Sequence, residues 1–90
     1  MLETKERSVD HLGHRIRVVA NSDGARLYVN NELLDLTNDL YASEEQATLV
    51  GVCGEEDGFR IEAFVKPVTL ETAIRVKDEW VVGDKLHAVV

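Results

Sequence analysis

Two segments of this chain, Leu27-Tyr28-Val29-Asn30-Asn31-Glu32-Leu33-Leu34 and Ile74-Arg75-Val76-Lys77-Asp78-Glu79-Trp80-Val81, repeat one pattern: a β-prone run, two polar residues, a glutamate, then apolar residues. A strand, a tight turn and a returning strand have this signature, so its double use makes the hairpin the organising unit and predicts an antiparallel all-β domain. The pattern restricts the fold and names no chemistry.

Period-two alternation supplies the remaining strands. Ile16, Val18 and Ala20 alternate with Arg15, Arg17 and Val19, and Asn21-Ser22-Asp23-Gly24 reads as the turn that follows. Arg26 to Val29 returns with Leu27 and Val29 on one face and Arg26 and Tyr28 on the other, Asn30-Asn31 turns, and Glu32 to Leu36 forms a short third strand. Ala47 to Cys53 is apolar on both faces, as expected for a central strand covered on each side or for one whose outer face meets a partner. Phe59 to Lys66 alternates most cleanly: Phe59, Ile61, Ala63 and Val65 inward, Arg60, Glu62, Phe64 and Lys66 outward, with Pro67 ending the ladder. Thr72 to Val76, Glu79 to Val82 and Leu86 to Val90 complete a set of about eight short strands, divided by Lys77-Asp78 and Gly83-Asp84-Lys85.

Two segments escape this reading. Met1 to Gly13 lacks alternation and reads as a flexible arm or a short helical turn. Thr37 to Gln46 is polar and long enough to cross between sheets; its Ser43-Glu44-Glu45-Gln46 has the form of a helix capping box. Eight short strands with turn signals between them predict an antiparallel β-sandwich, with a small β-barrel as the alternative, in a single domain spanning residues 1–90. The two hairpins also raise the question of an internal duplication. Val29 and Val76 align, but Ile16 and Ile61 then fall two positions out of step.

With 44% hydrophobic and 30% charged residues, the chain has the composition of a folded soluble domain rather than of a disordered one. A net charge of −7 opposes nucleic acid and acidic membrane surfaces, which reward clustered Lys and Arg, and permits a basic partner. No apolar run reaches bilayer length and the first residues do not resemble a signal peptide, so a cytoplasmic location is expected. Cys53 is the only cysteine; no intramolecular disulfide can form, and its apolar surroundings suit a structural thiol.

The order of the segments Leu27 to Leu34, Ala47 to Cys53, Phe59 to Val65 and Ala73 to Val76 resembles one half of the Fas apoptotic inhibitory molecule family, compact antiparallel β-sandwiches built from successive hairpins. Those turns commonly hold a glycine where this chain has Asn30-Asn31 and Lys77-Asp78. The resemblance implies a non-enzymatic domain acting through protein contacts, with no catalytic residues to transfer.

Candidate chemistry is sparse. His11 and His14 at i, i+3 would need Cys53 or His87 to complete a zinc site, yet on one strand the two histidines point to opposite faces. Glu55, Glu56 and Asp57 lack the alternating oxygen spacing of a calcium loop. Asp35, Asp39, Glu44 and Glu45 have no nucleophile, phosphate cradle or metal motif beside them. Neither catalysis, a metal nor a cofactor is expected. Apolar side chains on nominally outward positions remain: Tyr28, Val50, Val52 and Phe64 form the candidate interaction surface for a protein partner or a second copy of the chain. A second reading is a small-ligand site between the two sheets or at one open end, lined by Tyr41, Phe59 and Trp80. A third is an acidic inhibitor or antitoxin-like protein that blocks a basic surface.

Overall fold

The structure is a computed structural model and describes residues 4–40, 47–53 and 58–83. Eight strands run in chain order: β1 (Lys5–His11), β2 (His14–Asn21), β3 (Gly24–Val29), β4 (Glu32–Thr37), β5 (Leu49–Cys53), β6 (Phe59–Val65), β7 (Thr72–Val76) and β8 (Glu79–Val82). They form two four-stranded antiparallel sheets, each with its strands side by side in chain order, β1-β2-β3-β4 and β5-β6-β7-β8. No helix occurs among the described residues, and none is long and apolar enough to cross a membrane. The architecture is all-β and consistent with a small β-sandwich.

Alternation places the core. Ile16, Val18, Ala20, Ala25, Leu27 and Val29 from the first sheet meet Leu49, Phe59, Ile61, Ala63, Val65, Ile74, Val76 and Val82 from the second in one apolar cluster. Leu40 and Leu70, which lie outside the strands, close it. Leu70 holds a left-handed φ of 62°, uncommon for leucine, while its side chain is buried. At Gly51 the sheets lie too close for a side chain: a Cβ there would stand 2.8 Å from Leu34 Cδ1 and 3.2 Å from Leu27 Cδ2.

The second sheet repeats the pairing of the first. Ile16 faces Val29 and Val18 faces Leu27, as Ile61 faces Val76 and Ala63 faces Ile74. Two residues in left-handed conformation, Asn30-Asn31 and Lys77-Asp78, join β3 to β4 and β7 to β8 in the manner of type I′ turns. Beyond each turn the register slips at the equivalent place, between Leu27 and Tyr28 and between Ile74 and Arg75. The extra residue in each returning strand, Leu34 or Val81, packs against the core. The longer β6–β7 connection accounts for the two positions by which Ile16 and Ile61 fall out of step.

Two sequence expectations are corrected. Residues 5–11 are neither an arm nor a helical turn but the edge strand β1, paired along its length with His14–Ala20. Its alternation was hidden because Lys5 and Arg7 occupy core-side register positions opposite Ala20 and Val18, leaving Val9 as the one apolar residue there. Charged residues on such an edge discourage pairing with another chain. Strand β5 is not central either: its one strand partner in the sheet is β6. Its other side lies near β4, where the Asp35 carboxylate accepts the Val50 N–H at 2.9 Å and takes the place of a ladder bond at the corner between sheets. The segment Leu86–Val90, read as a strand, and Ser43–Gln46, read as a capping box, lie outside the described residues.

Candidate functional site: the outer faces of the two sheets

Residues pointing away from the core divide between two surfaces. On the first sheet the outward positions of β2, β3 and β4 bring together Arg17, Tyr28 and Leu33 in one row and Val19, Arg26 and Leu36 in the next. The Arg17 guanidinium lies 4.6 Å above the Tyr28 ring centre, an attractive cation–π arrangement, with Glu6 at 3.5 Å. The Arg17 Nε is buried and has no hydrogen-bond partner, because its contact with Glu6 satisfies charge proximity without hydrogen-bond geometry. Leu33 is 44% and Leu36 49% exposed. Sequence alternation alone could not place both outward, since positions 33 and 36 have opposite parity; the bulge at Leu34 reverses it.

The outer face of the second sheet is organised around a buried carboxylate. Glu62 on β6 faces Arg75 on β7, which in turn faces Trp80 on β8. Arg75 donates to Glu62 Oε1 from Nη2 at 2.8 Å and from Nε at 3.0 Å, and Arg60 stands 3.8 Å from Oε2. The same Arg75 guanidinium lies 5.5 Å from the Phe64 ring centre and 5.2 Å from that of Trp80, whose rings are 5.3 Å apart. Glu62 is 7% exposed, so its charge depends on these guanidinium contacts rather than on water. The cluster holds Trp80 in place on edge strand β8 while leaving it 37% exposed; toward the other edge of the same sheet, the 64% exposed Val52 on β5 faces Arg60 on β6.

The four candidate interaction residues are therefore not one patch. Tyr28 lies on the first sheet, whereas Val50, Val52 and Phe64 lie on the second. Phe64 points outward as its alternation requires, yet it is only 5% exposed, packed with Ala47, Ala73 and Trp80. The proposed ligand lining does not converge: Phe59 sits in the core between the sheets, Trp80 is on the opposite face of the second sheet, and Tyr41 lies outside the described residues. A lone tryptophan at a hairpin suits either a contact anchor or the centre of the core, and its place opposite Arg75 puts Trp80 on the outer face.

Cys53 and His14 meet at one end of the sandwich, Sγ to Nδ1 at 3.6 Å, with the His14 ring edge-on to Phe59 and the Asn30 amide 3.0 Å from the same nitrogen. His11 pairs opposite His14 across the first hairpin. No group of three metal-ligating side chains gathers among the described residues. Glu55, Glu56, Asp57, Glu44, Glu45 and His87 lie outside them. Asp35 serves the β4–β5 corner and its own neighbour, accepting from the Leu36 N–H at 2.9 Å.

Comparison with known proteins finds no matching family model, no similar curated protein and no similar solved structure.

Proposed function

We propose that this chain is a non-catalytic β-sandwich domain that acts by protein–protein contact through the outer face of its second sheet. The observation that carries the reading is Trp80, exposed and braced by Arg75 and Phe64 at one edge of a face whose other edge carries the exposed Val52 and Arg60. Tryptophan and arginine are the residue types that dominate contact energies, and a side chain already held in its bound geometry loses little entropy on docking. Glu62 is nearly consumed by Arg75, so the exposed Arg60 gives this face a cationic edge on a chain of net charge −7. The partner that fits is a protein presenting an apolar side chain to Trp80 at one edge of the face and, toward the other edge, a carboxylate to Arg60 and apolar surface to Val52. The resemblance to half of the Fas apoptotic inhibitory molecule family points the same way, toward contact rather than catalysis.

The test uses the immobilised full chain as bait in host extract, with Trp80→Ser and Arg60→Glu as matched baits. A partner retained by the native chain and lost from both variants is the expected result, with retention falling as salt rises. Equal retention by all three baits removes this face from the reading. Light scattering over a range of concentrations decides whether the partner is a second copy: a mass that rises with concentration and stays monomeric for Trp80→Ser identifies self-association.

A further inference from the structure

We propose that a groove on the first sheet is a binding site for a small zwitterion, specifically an α-amino acid with an apolar side chain. The groove has a volume of about 240 Å³ and lies where the β2–β3 turn meets the end of β4, lined among others by Val19, Asn21, Asp23, Arg26, Leu36 and Asn38. It stands apart from the contact face on the second sheet and does not depend on that reading.

Charge selects the ligand class. Three arginines stand outward on the first sheet; Arg15 is paired with Asp10 and Arg17 with Glu6, whereas no acid of the described residues lies within ion-pair distance of Arg26. In the lining of the same groove the Asp23 carboxylate has neither a cation nor a hydrogen-bond donor among the described residues. A bare anion drawn to Arg26 would meet the repulsion of Asp23, and a bare cation the reverse. A molecule carrying both charges satisfies both, its carboxylate on the planar fork of Arg26 and its ammonium on Asp23. Val19 and Leu36, which flank Arg26 in one cross-strand row, supply apolar surface for the ligand's side chain, and Leu36 is half exposed there.

Size and rigidity agree with this choice. The volume falls below the roughly 300 Å³ at which pockets for drug-sized molecules begin, which suits a ligand of amino-acid dimensions. The walls are held in place. Asn21 Oδ1 accepts the Asp23 N–H at 2.8 Å, and Gly24, at φ 150°, sits so close to β4 that a Cβ would stand 2.0 Å from the Thr37 carbonyl oxygen. The turn carrying Asp23 is thereby fixed against the strand end carrying Leu36.

Titrating the isotope-labelled full chain with L-leucine, N-acetyl-leucine and leucine amide, read by backbone amide shifts, tests the site. Leucine is expected to move the amides of residues 19–26 and 36–38 with millimolar affinity, and removal of either charge by capping should weaken binding at least about tenfold. Arg26→Gln and Asp23→Asn should each abolish the shifts without lowering the thermal midpoint, since both side chains are exposed and lack ion pairs. N-acetyl-leucine binding as well as leucine would overturn the zwitterion, leaving a simple carboxylate site. Absence of localised shifts at roughly 50 mM leucine, well above the millimolar range, would overturn the site altogether.

Discussion

Ile61 and Phe64 sit three residues apart on β6, face opposite ways, and are 0% and 5% exposed. Ile61→Ala should cost about 2 to 5 kcal/mol in urea unfolding, because it opens a cavity between the sheets. Phe64→Ser should cost about 3 kcal/mol as well, since the ring is packed against Ala73 and Trp80 rather than standing in solvent. A loss under 1 kcal/mol at Phe64 would mean that its surroundings close over the gap. Arg75 and Glu62 provide a sharper contrast. Arg75→Met strands a buried carboxylate and is expected to cost about 3 kcal/mol, whereas Glu62→Leu combined with Arg75→Met removes both charges and should restore most of that stability. A double variant as unstable as the single one would show that the guanidinium contributes mainly by stacking on Phe64 and Trp80.

Among the elements, the two-residue turns carry a local cost. Asn30, Asn31, Lys77 and Asp78 all have positive φ, and Lys77 is the one whose side chain tolerates it least. Replacing Lys77-Asp78 by Asn-Gly should therefore raise stability by about 1 kcal/mol, measured as a shift of the urea midpoint without a change of slope. A drop would mean that Lys77, whose ammonium lies 5.6 Å from the Phe59 ring centre, contributes more through that contact than its backbone loses. Element by element, sequence periodicity located β2, β3, β6 and β7 because each has an apolar face opposite a polar one. It failed at β1, whose position at the sheet edge lets charges occupy core-side sites, and at β5, where apolar residues on both faces mark the corner beside β4 rather than a central place. It also failed at each bulge, where Leu34 or Val81 is the extra residue and the parity of the returning strand reverses, so that Leu33 before the bulge and Leu36 after it share the outer face. The candidate site was legible as residue types and not as a place. Tyr28 and Val52 were read as outward, but which of them share a face depends on sheet membership, and that is a property of tertiary pairing.

At the scale of the whole molecule, the two sheets are alike in topology and unlike in what they expose. Each is a four-stranded meander with the same facing pairs, yet neither can hide its apolar face alone: Leu27 and Leu34 of the first close over Gly51 of the second, and one cluster spans both. The repeat therefore does not make two domains, and the chain is expected to unfold in a single cooperative transition. Trp80 makes this testable because it is the only tryptophan and belongs to the second sheet alone, so its fluorescence reports that sheet while far-ultraviolet dichroism reports both. The two urea curves should superimpose, and Leu27→Ala, in the first sheet, should shift the Trp80 curve as far as it shifts the dichroism. An early fluorescence transition that Leu27→Ala leaves in place would show the sheets unfolding separately. The cluster on the outer face would then be the property of an independent half rather than of the sandwich.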